Sequence, residues 1–272
     1  MGTTKQTLRT GLVLFALVVL SGQAEALTIF SNGFELAADS EWSTEPGLAP
    51  IGIDTTPSGL KFLGGFEEIG DNLPFGFSNQ TVSLNLTNLA PHTMVTLEFQ
   101  LFVIQSWDGN GEASEFGLFG IDVFDLSVGG GDTLLHTTFR VVPDGTQSFP
   151  GTYTDVLNHP GNAPHTGAAE VNTLGYQFFG DAVYNLSFTF PHSGSSLLLN
   201  FTGSGLQNIQ DESWGLDTVR VASNAMPEPA SLLLLGSGIV GLAAWRWRKQ
   251  GQPIVGLSCR KILVAIGSPH RK

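Results

Sequence analysis

The chain has 272 residues, with 24 acidic side chains against 12 basic ones and a formal charge of −12. So acidic a chain repels nucleic-acid phosphates and anionic membrane surfaces, while its carboxylates suit hard divalent cations. One cysteine, Cys259, is present, and it lies near the C-terminus. Disulfides, multi-cysteine zinc sites and thiol nucleophiles are therefore excluded from the rest of the chain.

Lys5 and Arg9 precede an apolar core, Gly11 to Leu20, and then Ala24-Glu25-Ala26. A charged start, an apolar run of this length and a small-x-small site predict a signal peptide over 1–26. An uncleaved anchor is the alternative, but the run is too short to span a bilayer. The mature chain is expected to begin near Leu27.

Residues 27–221 are read as one domain with a core of its own. Over 27–223 the bases are Lys61, Arg140 and Arg220, against 22 Asp and Glu, a formal charge of −19. The hydrophobic pattern has period two almost throughout. Val82, Leu84 and Leu86 share one face of a strand over 81–89. Val95, Leu97, Phe99, Leu101 and Val103 share one face over 93–105, and Tyr184, Leu186, Phe188 and Phe190 over 183–190. Further strands are predicted over 119–128, 133–142, 196–202 and 215–221. Alternation of this kind means strands with one buried face. Many short strands between Gly, Asn and Pro turns predict an all-β, antiparallel β-sandwich of jelly-roll type.

Residues 143–175 break the pattern, with four prolines and two of the six histidines. They read as a long loop with room for one short strand, a place where sandwiches often carry function. Residues 222–229 form a linker.

Two places could bind a ligand or cation. Asn32-Gly33-Phe34-Glu35 lies near the start of the domain and Trp214-Gly215-Leu216-Asp217 near its end. If the terminal strands lie side by side, Glu35 and Asp217 can clamp one cation between them. The pattern resembles galactose-binding-like and related jelly-roll modules, and the resemblance implies structural Ca2+ held by Glu35 and Asp217. The other reading is two solvated carboxylates.

The second place is Ser106-Trp107-Asp108-Gly109-Asn110-Gly111-Glu112, directly after a long apolar strand. Asp-Gly-Asn-Gly is strong turn chemistry. Asp108, Asn110 and Glu112 recur at alternate positions, spacing that can converge oxygens on a cation, with Trp107 as a stacking platform. An EF-hand is rejected, since Glu115 stands at the wrong distance from Gly109. The plainer reading is a hairpin whose tryptophan is in the core. His92, His136, His159, His165 and His192 show no zinc spacing. No nucleophile elbow or phosphate-cradling loop occurs.

The C-terminal region orders three features. Pro227-Glu228-Pro229 comes first, an apolar run from Ala230 to Trp245 second, and the bases Arg246, Arg248 and Lys249 last. The prolines enforce extended backbone. The run is shorter than the roughly 20 residues that span a bilayer comfortably. Trp245 and Trp247 suit the interface, and the bases favour the cytoplasmic side. A transmembrane or sorting helix is expected over 230–249; an ordinary single-pass anchor is the plainer version. The three features in this order resemble the PEP-CTERM sorting signal of Gram-negative bacteria. That resemblance implies an exosortase, a membrane-embedded protease or transpeptidase, as partner. It also implies an inner-membrane intermediate and final placement at the cell surface or in the extracellular matrix. Such signals end at the basic cluster, whereas here residues 250–272 continue, as a cytoplasmic tail or as read-through of the coding sequence.

The expected function is a non-catalytic sandwich, calcium-assisted, that binds exopolysaccharide or matrix, with no nucleic acid. The alternatives are a secreted polysaccharide hydrolase using paired carboxylates and a purely structural matrix protein.

Overall fold

The computed structural model describes residues 26–45, 51–65, 76–111, 113–114, 117–118, 120–129, 131–224 and 230–250. The chain divides into two compact units, Met1–Met226 and Pro227–Lys272. The first contains fourteen described strands: β1 (Ala26–Asn32), β2 (Trp42–Thr44), β3 (Ile51–Thr55), β4 (Lys61–Gly65), β5 (Thr81–Thr87), β6 (Met94–Gln105), β7 (Ala113–Ser114), β8 (Gly117–Leu118), β9 (Val123–Val128), β10 (Thr133–Thr138), β11 (Glu170–Val171), β12 (Asp181–Pro191), β13 (Ser196–Ser204) and β14 (Glu212–Asn224). The second contains one helix, α1 (Ala230–Gln250).

Two antiparallel sheets make the sandwich. One runs β11-β12-β6-β14-β4-β3, with β1 also paired to β14; the other runs β10-β9-β13-β5-β2. The alternation in β6 and β13 is the reason: Val95, Leu97, Leu101, Leu197, Leu199 and Phe201 are all buried between the sheets. Burying each such side chain contributes roughly 1.5–3 kcal/mol. Aromatic rings lock the two layers: Phe99 meets Phe201 edge-on at 5.2 Å, and Phe124 meets Trp214 at 5.3 Å.

β14 is the central strand. Its first half pairs with β4 through Leu216 and Leu63, its second half with β1 from Asn32–Val219 to Ala26–Asn224. The change of partner coincides with a register shift between Asp217 and Arg220, where Thr218 has a φ of +49°. A bulge of this kind re-aims the side chains beside it.

The predicted loop over 143–175 holds one short strand, β11. It is ordered by Gln147, which is fully buried and fully bonded. Its Oε1 accepts from the backbone N–H groups of Arg140 and His165, both at 3.1 Å. Its Nε2 donates to the carbonyl oxygens of Phe149 and Thr166. The predicted run over 133–142 is regular only as far as Thr138.

A helix forms where a transmembrane or sorting helix is expected over 230–249. α1 has 21 residues, but no described helix is long and apolar enough to cross a membrane. Gly236, Gly238, Gly241 and two serines dilute its apolar run, and three bases close it. The signal peptide, the Pro-Glu-Pro triplet and residues 251–272 lie outside the described residues.

Candidate functional site

Strand alternation builds the most unusual chemistry in the fold. On β14, Glu212, Trp214 and Leu216 share the inner face. Leading into β9, Asp122, Phe124 and Leu126 share the inner face of the opposite sheet. Phe124 touches Trp214. One step further out along both strands, the next pair is Asp122 and Glu212. Both are wholly buried, at 0% exposure. Asp108, half-buried in the turn after β6, completes the group. One ligand oxygen from each of the three carboxyls lies within 4.8 Å of the others.

Each buried carboxyl is half satisfied. Asp122 Oδ2 accepts from the Asp108 N–H, and Glu212 Oε2 from the Gln207 N–H at 2.5 Å. Asp122 Oδ1 and Glu212 Oε1 are buried with no hydrogen-bond partner. Burial pushes both carboxyls well above the usual carboxylate range, with added repulsion from Glu212 on Asp122 and from Asp108 on each. Asp108 Oδ2 accepts from Gln207 Nε2 at 3.2 Å, and Arg140 donates Nη1 to the Asp108 carbonyl oxygen. Asp181 is the contrast. It is equally buried, yet it accepts from the N–H groups of Thr173, Leu174 and Tyr176.

The turn predicted to bind ligand is placed differently from the expectation. Trp107 is no stacking platform: it is fully buried, and its Nε1 donates to the Ser213 carbonyl at 2.8 Å. The strand before it delivers it inward, against Phe139. Asn110 is no cation ligand either. Its Oδ1 accepts from Thr138 and Ser148 hydroxyls, and its Nδ2 donates to Thr146 Oγ1 and the Pro160 carbonyl, which fills its amide. Glu112 lies outside the described residues. Asp108 alone of this set joins a cluster, and its partners Asp122 and Glu212 were not singled out from sequence. The available signal was a carboxylate standing in the buried register of each strand, one layer before an aromatic.

β1 pairs with β14 and ends beside the bulge, so the Glu35 charge acts on Asp217. Asp217 is pushed up to about 6, first by burial and then by Glu35, while its Oδ1 accepts from the Thr218 N–H at 2.6 Å. Glu35 is exposed, and its carbonyl oxygen takes the Lys61 ammonium at 2.6 Å.

A separate cleft of about 540 Å³ opens at the edge of the sandwich between β10 and β12. Phe149 and Phe188 supply ring surface, and Thr133, Thr152, Asn185 and Ser187 supply hydroxyls and an amide. None of the residues lining it is an Asp or Glu, but His136, which also lines it, bonds the Asp125 carboxylate through Nδ1 at 2.5 Å.

Several solved structures share the general shape. The K3 and K1 cleaved adhesin domains of Lys-gingipain from Porphyromonas gingivalis W83 are 12% and 14% identical, with TM-scores of 0.37 and 0.38. Each match covers 72% of this chain, and 99% and 98% of those chains. The mannan-recognising carbohydrate-binding module TmCBM27 is 12% identical over 74% of this chain and 100% of its own, with a TM-score of 0.38. These are weak likenesses in shape and carry nothing about ligand. No curated protein matches the chain. The C-terminal region is different in kind. Arg246 and Arg248 are exposed on α1, which Lys249 also joins. Residues 227–249 match the PEP-CTERM protein-sorting motif, so the chain is an exported protein marked for exosortase processing at the membrane, with an all-β antiparallel sandwich ahead of its sorting signal.

Proposed function

We propose that the protein is a non-catalytic binding protein of the cell surface or extracellular matrix of a Gram-negative bacterium, and that its sandwich takes a neutral polysaccharide in the cleft between β10 and β12. The observation that supports this most is the cleft's lining: aromatic rings beside hydroxyls and an amide, without a carboxylate. Sugar rings stack on such faces while their hydroxyls find polar partners. The domain charge of −19 argues for a neutral polymer over an acidic one. The carboxyl cluster found among the described residues, Asp108, Asp122 and Glu212, has its two buried members sealed from solvent, so a polysaccharide cannot reach them for hydrolysis. Calcium shared by Glu35 and Asp217 remains part of the reading, as a stabiliser of the terminal strands.

Two experiments test it. A glycan array probed with the purified protein, with and without calcium, should show binding to neutral glycans. Asn185→Ala should weaken it. A blank array, or binding that Asn185→Ala leaves untouched, rejects the cleft. For the route, Pro227→Ala with Pro229→Ala should leave the protein in the inner-membrane fraction. Unchanged release to the surface rejects exosortase handling.

A further inference from the structure

We propose that Asp108, Asp122 and Glu212 together hold one divalent cation, calcium by its chemistry, that closes the end of the core and ties one sheet to the other. This centre stands apart from the Glu35–Asp217 pair. Glu212 and Asp217 are five residues apart on one strand, about 17 Å, and their side chains leave opposite faces.

Three observations carry the inference. The first is the pair of orphan atoms. Asp122 Oδ1 and Glu212 Oε1 are buried, and among the described residues no N–H or hydroxyl donor reaches either; the one hydrogen bond open to them is to each other, and it needs a proton. Leaving a buried carboxylate oxygen unpaired is costly, and buried charges are normally paired or bound to metal. Asp181 shows that this fold can satisfy a buried carboxylate with backbone N–H groups when it has no other use for it. The second is the spacing. Oxygens bound to one calcium at 2.3–2.6 Å can lie no further apart than about 5 Å. The three ligand atoms meet that limit, at 4.8 Å or less.

The third observation is the surroundings. The turn 107–111, the approach to β9 and the loop before β14 converge here, and main-chain oxygens come with them. A Cβ placed on Gly120 would lie 2.7 Å from the Gly205 carbonyl oxygen and 3.7 Å from Asp122 Oδ1. That carbonyl and that carboxylate therefore both border the space beside Gly120. An all-oxygen set with no nitrogen or sulfur suits calcium, and gives zinc little reason to bind. A single proton shared between the two buried carboxyls is the rival occupant. It would neutralise one charge and leave the other.

The test uses the full chain in detergent, stripped with chelator and then titrated with calcium, or magnesium, by calorimetry and thermal melting. Calcium should bind and raise the melting temperature by about 5–10 °C at a free concentration 100-fold above its dissociation constant. Asp122→Asn and Glu212→Gln should each remove one bound calcium per chain and most of that rise. Both changes keep shape, and both relieve repulsion, so the metal-free variants should melt no lower than the metal-free parent. Asp217→Asn should leave this centre's calcium in place. The proposal fails if the parent binds no calcium at millimolar concentration. It also fails if both variants keep the parent's stoichiometry and melting response.

Discussion

Asp122 and Glu212 face each other from opposite sheets, one layer beyond the contact between Phe124 and Trp214. Two hydrophobic stripes that ordinarily end in solvent end here in a buried carboxyl pair. Metal-free, the pair should make stability depend on pH. Both groups are raised in the folded state, Glu212 to about 7 and Asp122 above it, by burial first and neighbouring carboxyls second. The folded state therefore binds more protons than the unfolded one above pH 4. Stability is fully present below the ordinary carboxyl range and is lost as pH rises through neutral. The expected loss is roughly 1–3 kcal/mol between pH 5 and pH 8 in chelator. Saturating calcium should flatten that slope, since it replaces the protons. Melting curves at a series of pH values, with calcium and with chelator, check both statements. A metal-free melting temperature that rises from pH 5 to pH 8 reverses the sign and defeats the account.

Trp107 separates a core role from a binding role. It is wholly buried and donates its indole N–H to the Ser213 carbonyl. Trp107→Ala should cost about 3–5 kcal/mol, or roughly 10 °C for a domain of this size. Trp107→Phe should cost less, since only the bonded N–H and part of the ring volume go. Glycan binding by folded Trp107→Phe should match the parent. A variant of full stability with lost binding would restore the tryptophan to the ligand site.

The sandwich was legible because β5 and β13 alternate throughout, β6 over 94–101 and β12 over 185–191, with the rest of both long strands buried on two faces. β2, β3 and β4 escaped notice, being short and set among glycines, with too few residues to show a period. Trp107 was misplaced for a physical reason. A turn rich in Gly and Asn reads as exposed, but here the loop 143–175 folds over it and fills Asn110's hydrogen bonds from residues far along the chain. The acidic centre was half legible. Asp108 advertised itself by its turn, whereas Asp122 and Glu212 are joined only by the facing of two sheets, which no local spacing records. The pairing of β1 with β14, which brings Glu35 towards Asp217, followed from the likeness to jelly-roll modules.

Lys61 gives the sharpest test of the Glu35–Asp217 pair. Its ammonium lies 2.6 Å from the backbone carbonyl oxygen of Glu35, next to the carboxylate expected to bind calcium. The ammonium's positive charge would then oppose calcium at the adjoining carboxylates. Lys61→Met removes the competitor while keeping an unbranched side chain on β4. If Glu35 and Asp217 bind calcium, this variant should bind it several-fold more tightly at that place. Asp217→Asn should abolish the gain. The pH dependence has a stated direction as well. Asp217 is raised to about 6, so without calcium its contribution to stability is present below pH 4 and lost as pH rises through 6. Calcium should therefore bind better at pH 7.5 than at pH 5, because at pH 5 it must displace a proton. Calorimetry of the Asp122→Asn background, which isolates this pair from the centre at the core's end, reads both effects. Equal affinity in Lys61→Met and its parent would mean that the ammonium does not compete there, and calcium binding that Asp217→Asn leaves unchanged would mean that no calcium is shared by the pair.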